Sequence, residues 1–247
     1  MEIIEDGDNR CLYFGGNVLQ SAMSISTPQR LVLSYTRYMM TTLLFVRPLR
    51  RALIVGVGAG SLIRFIHHHY PDCIIDGVDF SARILKLARG YFNLPNSDTV
   101  RLHCCDGQEF FADRKNQDYD LILIDAFDQE GMAPSIYCAD FFSQCGNHLQ
   151  ENGIVSLNLW SGDTARVNQV HSDLERHYNS CYSMPVPDRG NIVCLAAKES
   201  DLKVTMERDY TELARMSAEF DINFNEISRV FNRHNLGYRE RLARFFS

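Results

Sequence analysis

Four aspartates and one glycine-rich turn carry most of the chemistry that this chain of 247 residues can be expected to perform. The turn is Gly56-Val57-Gly58-Ala59-Gly60-Ser61, set between the apolar run Ala52 to Val55 and a helical stretch reaching His69. Glycines in such a turn let the backbone come close to a ligand and leave the helix N-terminus free to donate hydrogen bonds. A dinucleotide fingerprint carries Gly or Ala at the sixth position, where Ser61 stands here. That lowers the nicotinamide reading and favours a Gly-x-Gly-x-Gly loop of the nucleoside-thioether kind, with Gly56, Gly58 and Gly60 as cofactor-binding candidates. Alone, such a loop is also a common packing turn.

The acids give the loop its context. Asp79 ends the strand-like run that begins at Cys73, where a carboxylate can accept the hydroxyls of a ribose. Asp106, followed by Gly107, closes the run Val100 to Cys104 and is placed to hold an adenine amino group. Asp125 and Asp128 follow the run Tyr119 to Ile124. A lone Asp after a strand is most often a loop cap. Carboxylates delivered by separate segments to the strand ends of one sheet are harder to explain that way, because those ends form the ligand crevice of an open parallel sheet.

The elements that must position these residues alternate. A short apolar strand of the kind buried on both faces comes at 52–55, and further strands at 73–79, 100–104, 119–124 and 154–159. Helices are expected from Ser61 to His69, from a Ser81 cap to Phe92, from Tyr137 to Gln150 and from Thr164 to Tyr178. A final pair, Cys181 to Pro185 and Asn191 to Ala197, is joined through Pro187-Asp188-Arg189-Gly190. Repeated β-α units with right-handed crossovers give an α/β fold with a doubly wound, mostly parallel sheet. Ahead of it, Arg10 to Phe14 and Asn17 to Met23 flank Gly15-Gly16 as a hairpin. Thr27 and Pro28 are expected to open a helix running to about Val46. Three parts follow: an N-terminal hairpin and helix covering the site (1–48), a nucleoside-binding α/β domain (49–200) and a helical extension (201–247).

Composition narrows the partners. A net charge of -6 disfavours nucleic acid and tolerates a cationic small molecule. No apolar run approaches membrane-spanning length, and the acidic start, Met1 to Asp6, is unlike a signal peptide. The eight cysteines include no Cys-x-x-Cys pair and read as thiols of a reducing, cytoplasmic compartment. His67-His68-His69 points in different directions on a helix, so no metal site is expected. Trp160 is read either as a ligand-stacking ring or as a packed sheet-edge aromatic, and the absence of Gly-x-Ser-x-Gly disfavours a serine hydrolase.

From about Asn17 to Lys198 the chain resembles the spermidine synthase (polyamine aminopropyltransferase) family, in particular its short bacterial members. The resemblance is carried by Ala52 to Gly60, Val78-Asp79, Ala88-Arg89-Gly90-Tyr91-Phe92, Asp106-Gly107 and Tyr119 to Asp128. It implies a seven-stranded Rossmann-like methyltransferase sheet. It also implies aminopropyl transfer from decarboxylated S-adenosylmethionine to an amine, the alternatives being a methyltransferase using S-adenosylmethionine itself or an inactive nucleoside-binding protein. Gln20 and Tyr35 would approach the ligand, Asp79 would hold the ribose and Asp106 with Gly107 the adenine. Asp125 would take the proton of the attacking amine, which Asp128 would help to bind, and the enzyme would be a homodimer. Three departures stand out. Ala59 replaces the family's loop Asp, which grips the donor's ammonium. Thr36 and Arg37 replace a His or Gln followed by Glu, and Gln129 replaces a Pro. Ala59 is expected to face the tail of the bound sulfonium compound.

Overall fold

The structure is a computed structural model; it describes residues 1–15, 18–112, 118–127, 131–187, 190–199, 202 and 210–235. Seven strands form the central sheet: β4 (Arg51–Val55), β5 (Ile74–Asp79), β6 (Val100–Cys104), β7 (Tyr119–Ile124), β8 (Leu149–Trp160), β9 (Ser180–Pro185) and β10 (Asn191–Ala197). Their order is β6-β5-β4-β7-β8-β10-β9. The first five are parallel, and β10 runs antiparallel to both β8 and β9. The chain reverses its direction of winding between β4 and β7, so the crevice of the sheet lies over the ends of those two strands.

Alternation along each strand builds two cores. Ala52, Ile54, Ile75, Leu121 and Leu123 face one layer, where α2 (Ser61–His69) and α3 (Ala82–Tyr91) pack with α1 (Ser34–Met39). Leu53, Val55, Val78, Ile122 and Ile124 face the other, under α4 (Gly107–Ala112), α5 (Ala139–Asn147) and α6 (Thr164–Glu175). Strands buried on both faces need apolar residues at every position, which is why they read as unbroken runs. The last helices, α7 (Tyr210–Phe220) and α8 (Phe224–Asn235), present Leu213, Met216, Phe224, Ile227 and Phe231 to the first layer. Asn235 pins α8 to β9, accepting from the Ser183 amide at 3.2 Å and donating to its carbonyl at 2.8 Å.

A separate antiparallel sheet precedes these strands: β1 (Glu2–Asp6), β2 (Asn9–Phe14) and β3 (Val18–Ser24). Residues 16–17, the expected hairpin tip, lie outside the described residues. The sequence offers no sign of β1, because its side chains are almost all exposed and carry no period-2 apolar pattern.

The helix expected from Thr27 to about Val46 forms only from Ser34 onward. Residues 25–33 are turns, α1 starts only at Ser34, and a 3₁₀ helix covers Met40–Leu44. Neighbouring groups are held by distant partners. Ser24 and Ser26 donate to Asp8 at 2.6 and 2.8 Å, the Thr27 amide donates to Ser24 Oγ, and Arg64 Nε donates to the Pro28 carbonyl at 2.8 Å. Three other boundaries differ. Helix α5 is shorter than expected, with Leu149 and Gln150 taken into β8, and α6 stops at Glu175, short of Tyr178. Strand β8 is longer, through a register shift opposite Tyr119/Leu121.

Candidate functional site

The glycine loop is closed in on by protein. A Cβ on Gly56 (φ +91°) would lie 2.2 Å from the Asp125 carbonyl oxygen, and one on Gly60 (φ +77°) 2.3 Å from Leu94. These positions demand glycine for close approach and left-handed backbone at once. The loop amides are spent internally. Those of Val57 and Gly58 donate to Asp79 at 3.0 and 3.4 Å, that of Ala59 to Ser21 Oγ at 3.2 Å, and that of Gly60 to the Val57 carbonyl at 2.8 Å. The helix that follows starts at Ser61 with Gly60 as its N-cap and has no side-chain cap. Arg64, 3% exposed, clasps the loop from beneath: it donates to the carbonyls of Ala59, Phe92 (2.7 Å) and Pro28, and to Ser61 Oγ at 3.2 Å. Burial brings its guanidinium down to about 10.

The two acids expected to meet a nucleoside, Asp79 and Asp106, are likewise anchored. Asp79 accepts the Val57 and Gly58 amides on Oδ2 and the Ser81 amide on Oδ1 at 2.9 Å. An ionised carboxylate offers about four acceptor positions, so one remains on Oδ1 for a ribose hydroxyl. A second hydroxyl would displace the long Gly58 contact. Burial raises the Asp79 carboxyl above the usual range, and the three amides oppose the rise. Asp106 caps α4 through the Gln108 amide at 2.8 Å and accepts Ser135 Oγ on its other oxygen at 3.1 Å, so it has a structural role beside any adenine contact. Gly107 is buried. A Cβ there would meet Ile136 at 2.7 Å and Val55 at 3.1 Å, so packing already requires the glycine. Phe80, next to Asp79, leaves its ring 67% exposed at the same strand end.

Asp125 lies at the switch point, two strands from Asp79 and so roughly 10 Å across the sheet at the usual strand spacing. Tyr35 of α1 donates to its Oδ2 at 3.0 Å, and Asn158 of β8 donates to its Oδ1 at 2.8 Å. Burial raises the Asp125 carboxyl, while the Asn158 and Tyr35 hydrogen bonds restrain it. The Tyr137 phenol is pushed well above its ordinary range by burial and by the Asp125 charge. An acid with a raised pKa, held by two neutral donors in a crevice, is suited to taking up a proton.

The structure thus brings Tyr35 and Asp125 together as expected. Gln20 lies half-buried on β3, whose neighbours Ser21 and Ala22 touch the glycine loop through the Ala59 amide and Ser61 Oγ. Asp128 lies outside the described residues. One expectation is corrected. The Ala59 methyl does not face an open tail site: it is 1% exposed and packs among Leu12, Met23, Ile84 and Phe92. Of the other departures, Arg37 donates to the Leu31 and Val32 carbonyls, and Thr36 is buried with its hydroxyl on the Leu33 carbonyl. Trp160 is half exposed at the end of β8. His68 is exposed, whereas His69 packs against Phe65 and Phe220 with ring centroids at 4.5 and 5.0 Å. Asn158, Tyr137 and Arg64 were not singled out by the sequence reading. For Asn158 the available signal was a polar residue interrupting an apolar strand near its crevice end.

A family model described as the spermine/spermidine synthase domain matches residues 32–207. The polyamine aminopropyltransferase of Chromobacterium violaceum is 30% identical over 227 residues, covering 92% of this chain and 87% of that one. A probable spermidine synthase from Corynebacterium glutamicum has the same fold, with a TM-score of 0.75 at 20% identity over 88% of this chain and 82% of the other. Human methyltransferase-like protein 13, solved in complex with SAH, shares the fold at a TM-score of 0.66 and 22% identity, over 78% and 93% of the two chains. With the domain matched across most of the sheet and a relative alike over nearly its whole length, this chain belongs to the spermine/spermidine synthase family.

Proposed function

We propose that this protein moves the aminopropyl group of decarboxylated S-adenosylmethionine to an amine, with Asp125 as the general base. The observation that carries the reading is the Asp125 carboxyl, raised by burial and held between Tyr35 and Asn158 at the switch point of the sheet. In the reaction the amine nitrogen attacks the aminopropyl carbon bound to sulfur. The C–S bond breaks with its electrons on sulfur, releasing methylthioadenosine, and the nitrogen's proton passes to Asp125. An alkyl amine with a pKa of about 10.4 is protonated at neutral pH, and freeing its lone pair costs roughly 4–5 kcal/mol at pH 7. A nearby carboxylate first holds the cation and then accepts its proton.

Asp79 takes the ribose, and Asp106 with the adjoining Gly107 takes the adenine, against which Phe80 can lay its ring. Gln20 and Tyr35 approach the ligand from the N-terminal side, Gly56, Gly58 and Gly60 let the loop pass close beneath it, and Asp128 helps to bind the acceptor. A cytoplasmic homodimer completes the reading; eight free thiols suit a reducing compartment.

A second reading is methyl transfer from S-adenosylmethionine itself. Calorimetry with methylthioadenosine, S-adenosylmethionine and its decarboxylated form, followed by mass spectrometry of reactions with butane-1,4-diamine, separates the two. Methylthioadenosine release and an acceptor heavier by one aminopropyl group are expected. A methylated acceptor formed only from S-adenosylmethionine would refute the proposal.

A further inference from the structure

We propose that Asn158 is the positioning residue of the Asp125 carboxylate and that Asn191 fixes the orientation of its amide, an inference that rests on Asp125 acting as the base. Asn158 is 2% exposed, in a strand whose flanking residues Leu157 and Leu159 are fully buried and apolar. A primary amide is costly in such a place unless its donors and acceptor are matched. Here they are. Nδ2 donates to Asp125 Oδ1 at 2.8 Å, and Oδ1 accepts from Asn191 Nδ2 at 2.9 Å. The main chain is held as well, since Tyr137 donates its hydroxyl proton to the Asn158 carbonyl at 2.8 Å.

Strand register explains how two asparagines far apart in sequence meet. Asn158 pairs with Val193 across β8 and β10, so Asn191, two residues before Val193, is its diagonal neighbour on the same face. That face is the one packed against α1, the helix that carries Tyr35. Asp125 therefore receives one neutral donor from the sheet and one from the helix, each on a different oxygen.

The amide has only one workable orientation. Turned over, it would set its oxygen against the carboxylate and its NH₂ against the NH₂ of Asn191, two repulsive contacts in a buried site. The pair thus prevents the carboxylate from rotating and stabilises its charged form without neutralising it. A lysine in this place would hold Asp125 in an ion pair and compete with an ammonium substrate; a neutral donor leaves the negative charge available to the acceptor. Among the described residues, the titratable groups facing Asp125 are the phenols of Tyr35 and Tyr137, and that of Tyr137 is pushed well above its ordinary range by burial.

The test uses Asn158→Leu, which keeps the shape and removes the donor, and Asn191→Leu, which keeps Asn158 but frees its amide. Two readouts are taken on the full chain. One is the ¹³C-carboxyl titration of Asp125, assigned through the Asp125→Asn spectrum; the other is the pH profile of kcat/KM for aminopropyl transfer. Because the hydrogen bond favours the ionised form, its loss raises the midpoint. Asn158→Leu is expected to move the carboxyl midpoint and the acid limb up by about one pH unit, and Asn191→Leu by a smaller amount in the same direction. A lower melting temperature with an unchanged carboxyl midpoint would overturn the proposal, leaving Asn158 a packing residue. If Asn158→Leu does not fold, Asn191→Leu decides: a raised midpoint supports the relay and an unmoved one refutes it. The carboxyl titration needs no turnover, so it remains decisive for Asn158 even if the wild type transfers no aminopropyl group and the proposed activity fails.

Discussion

Replacing Ala59 by Asp sets the surroundings of this residue against its alignment. By resemblance the new carboxylate should grip the donor's ammonium. In the structure it would be thrust among Leu12, Met23, Ile84 and Phe92, where Ala59 is 1% exposed. Three added heavy atoms have no room there, and overpacking a closed core costs about 1–3 kcal/mol. The charge adds a term that depends on pH. Among these apolar side chains the folded-state pKa rises above the unfolded value of about 3.9. A carboxyl raised on folding destabilises above its unfolded pKa, by about 1.4 kcal/mol per pH unit, until the folded pKa is reached. Between pH 5 and 7 the variant should therefore lose about 2–3 kcal/mol more than the wild type, if its folded pKa is near 7. For a chain of this size that corresponds to a further fall of roughly 4–12 °C in Tm. Thermal unfolding of both proteins at pH 5, 6 and 7 measures the divergence. Parallel curves, with tighter binding of decarboxylated S-adenosylmethionine by the variant, would mean that position 59 opens to the ligand and that the packing argument is wrong.

Asp79→Ala leaves the Val57, Gly58 and Ser81 amides without their acceptor, so methylthioadenosine binding should weaken by 100-fold or more in calorimetry. Asp125→Asn keeps an acceptor for Tyr35 and should bind nucleoside normally while transferring about 100-fold more slowly; an unchanged rate would place the base elsewhere. The raised Asp125 pKa also fixes a sign: the rate should fall on acidification at a pH above the ordinary carboxylate range, read as the acid limb of kcat/KM. Arg64→Met should destabilise by about 3 kcal/mol or more in urea unfolding, because the Ala59, Phe92 and Pro28 carbonyls lose a shared donor.

What the sequence made legible, and what it did not, follows from the range of the forces involved. Strand β4 could be read because a strand buried on both faces writes an unbroken apolar run, and β5, β6 and β7 because a carboxylate, Asp79, Asp106 or Asp125, stands at or just after the end of each. Tyr35 and Asp125, 90 positions apart, were joined through the family resemblance; no local pattern links them. Features set by distant partners stayed hidden. Thr27-Pro28 has the form of a helix start, yet Arg64 takes the Pro28 carbonyl that a helix would use. Ala59 carries no sign that β2, β3 and α3 enclose it, and Asn158 looks like a flaw in an apolar strand until Asp125 and Asn191 are set on either side of it. Arg64 sits on the apolar stripe of α2, where a charge is out of pattern. Its partners are carbonyls whose availability depends on how three segments end. Such breaks in local pattern, a polar residue where the period calls for an apolar one, are where the sequence points to tertiary contacts that it cannot name.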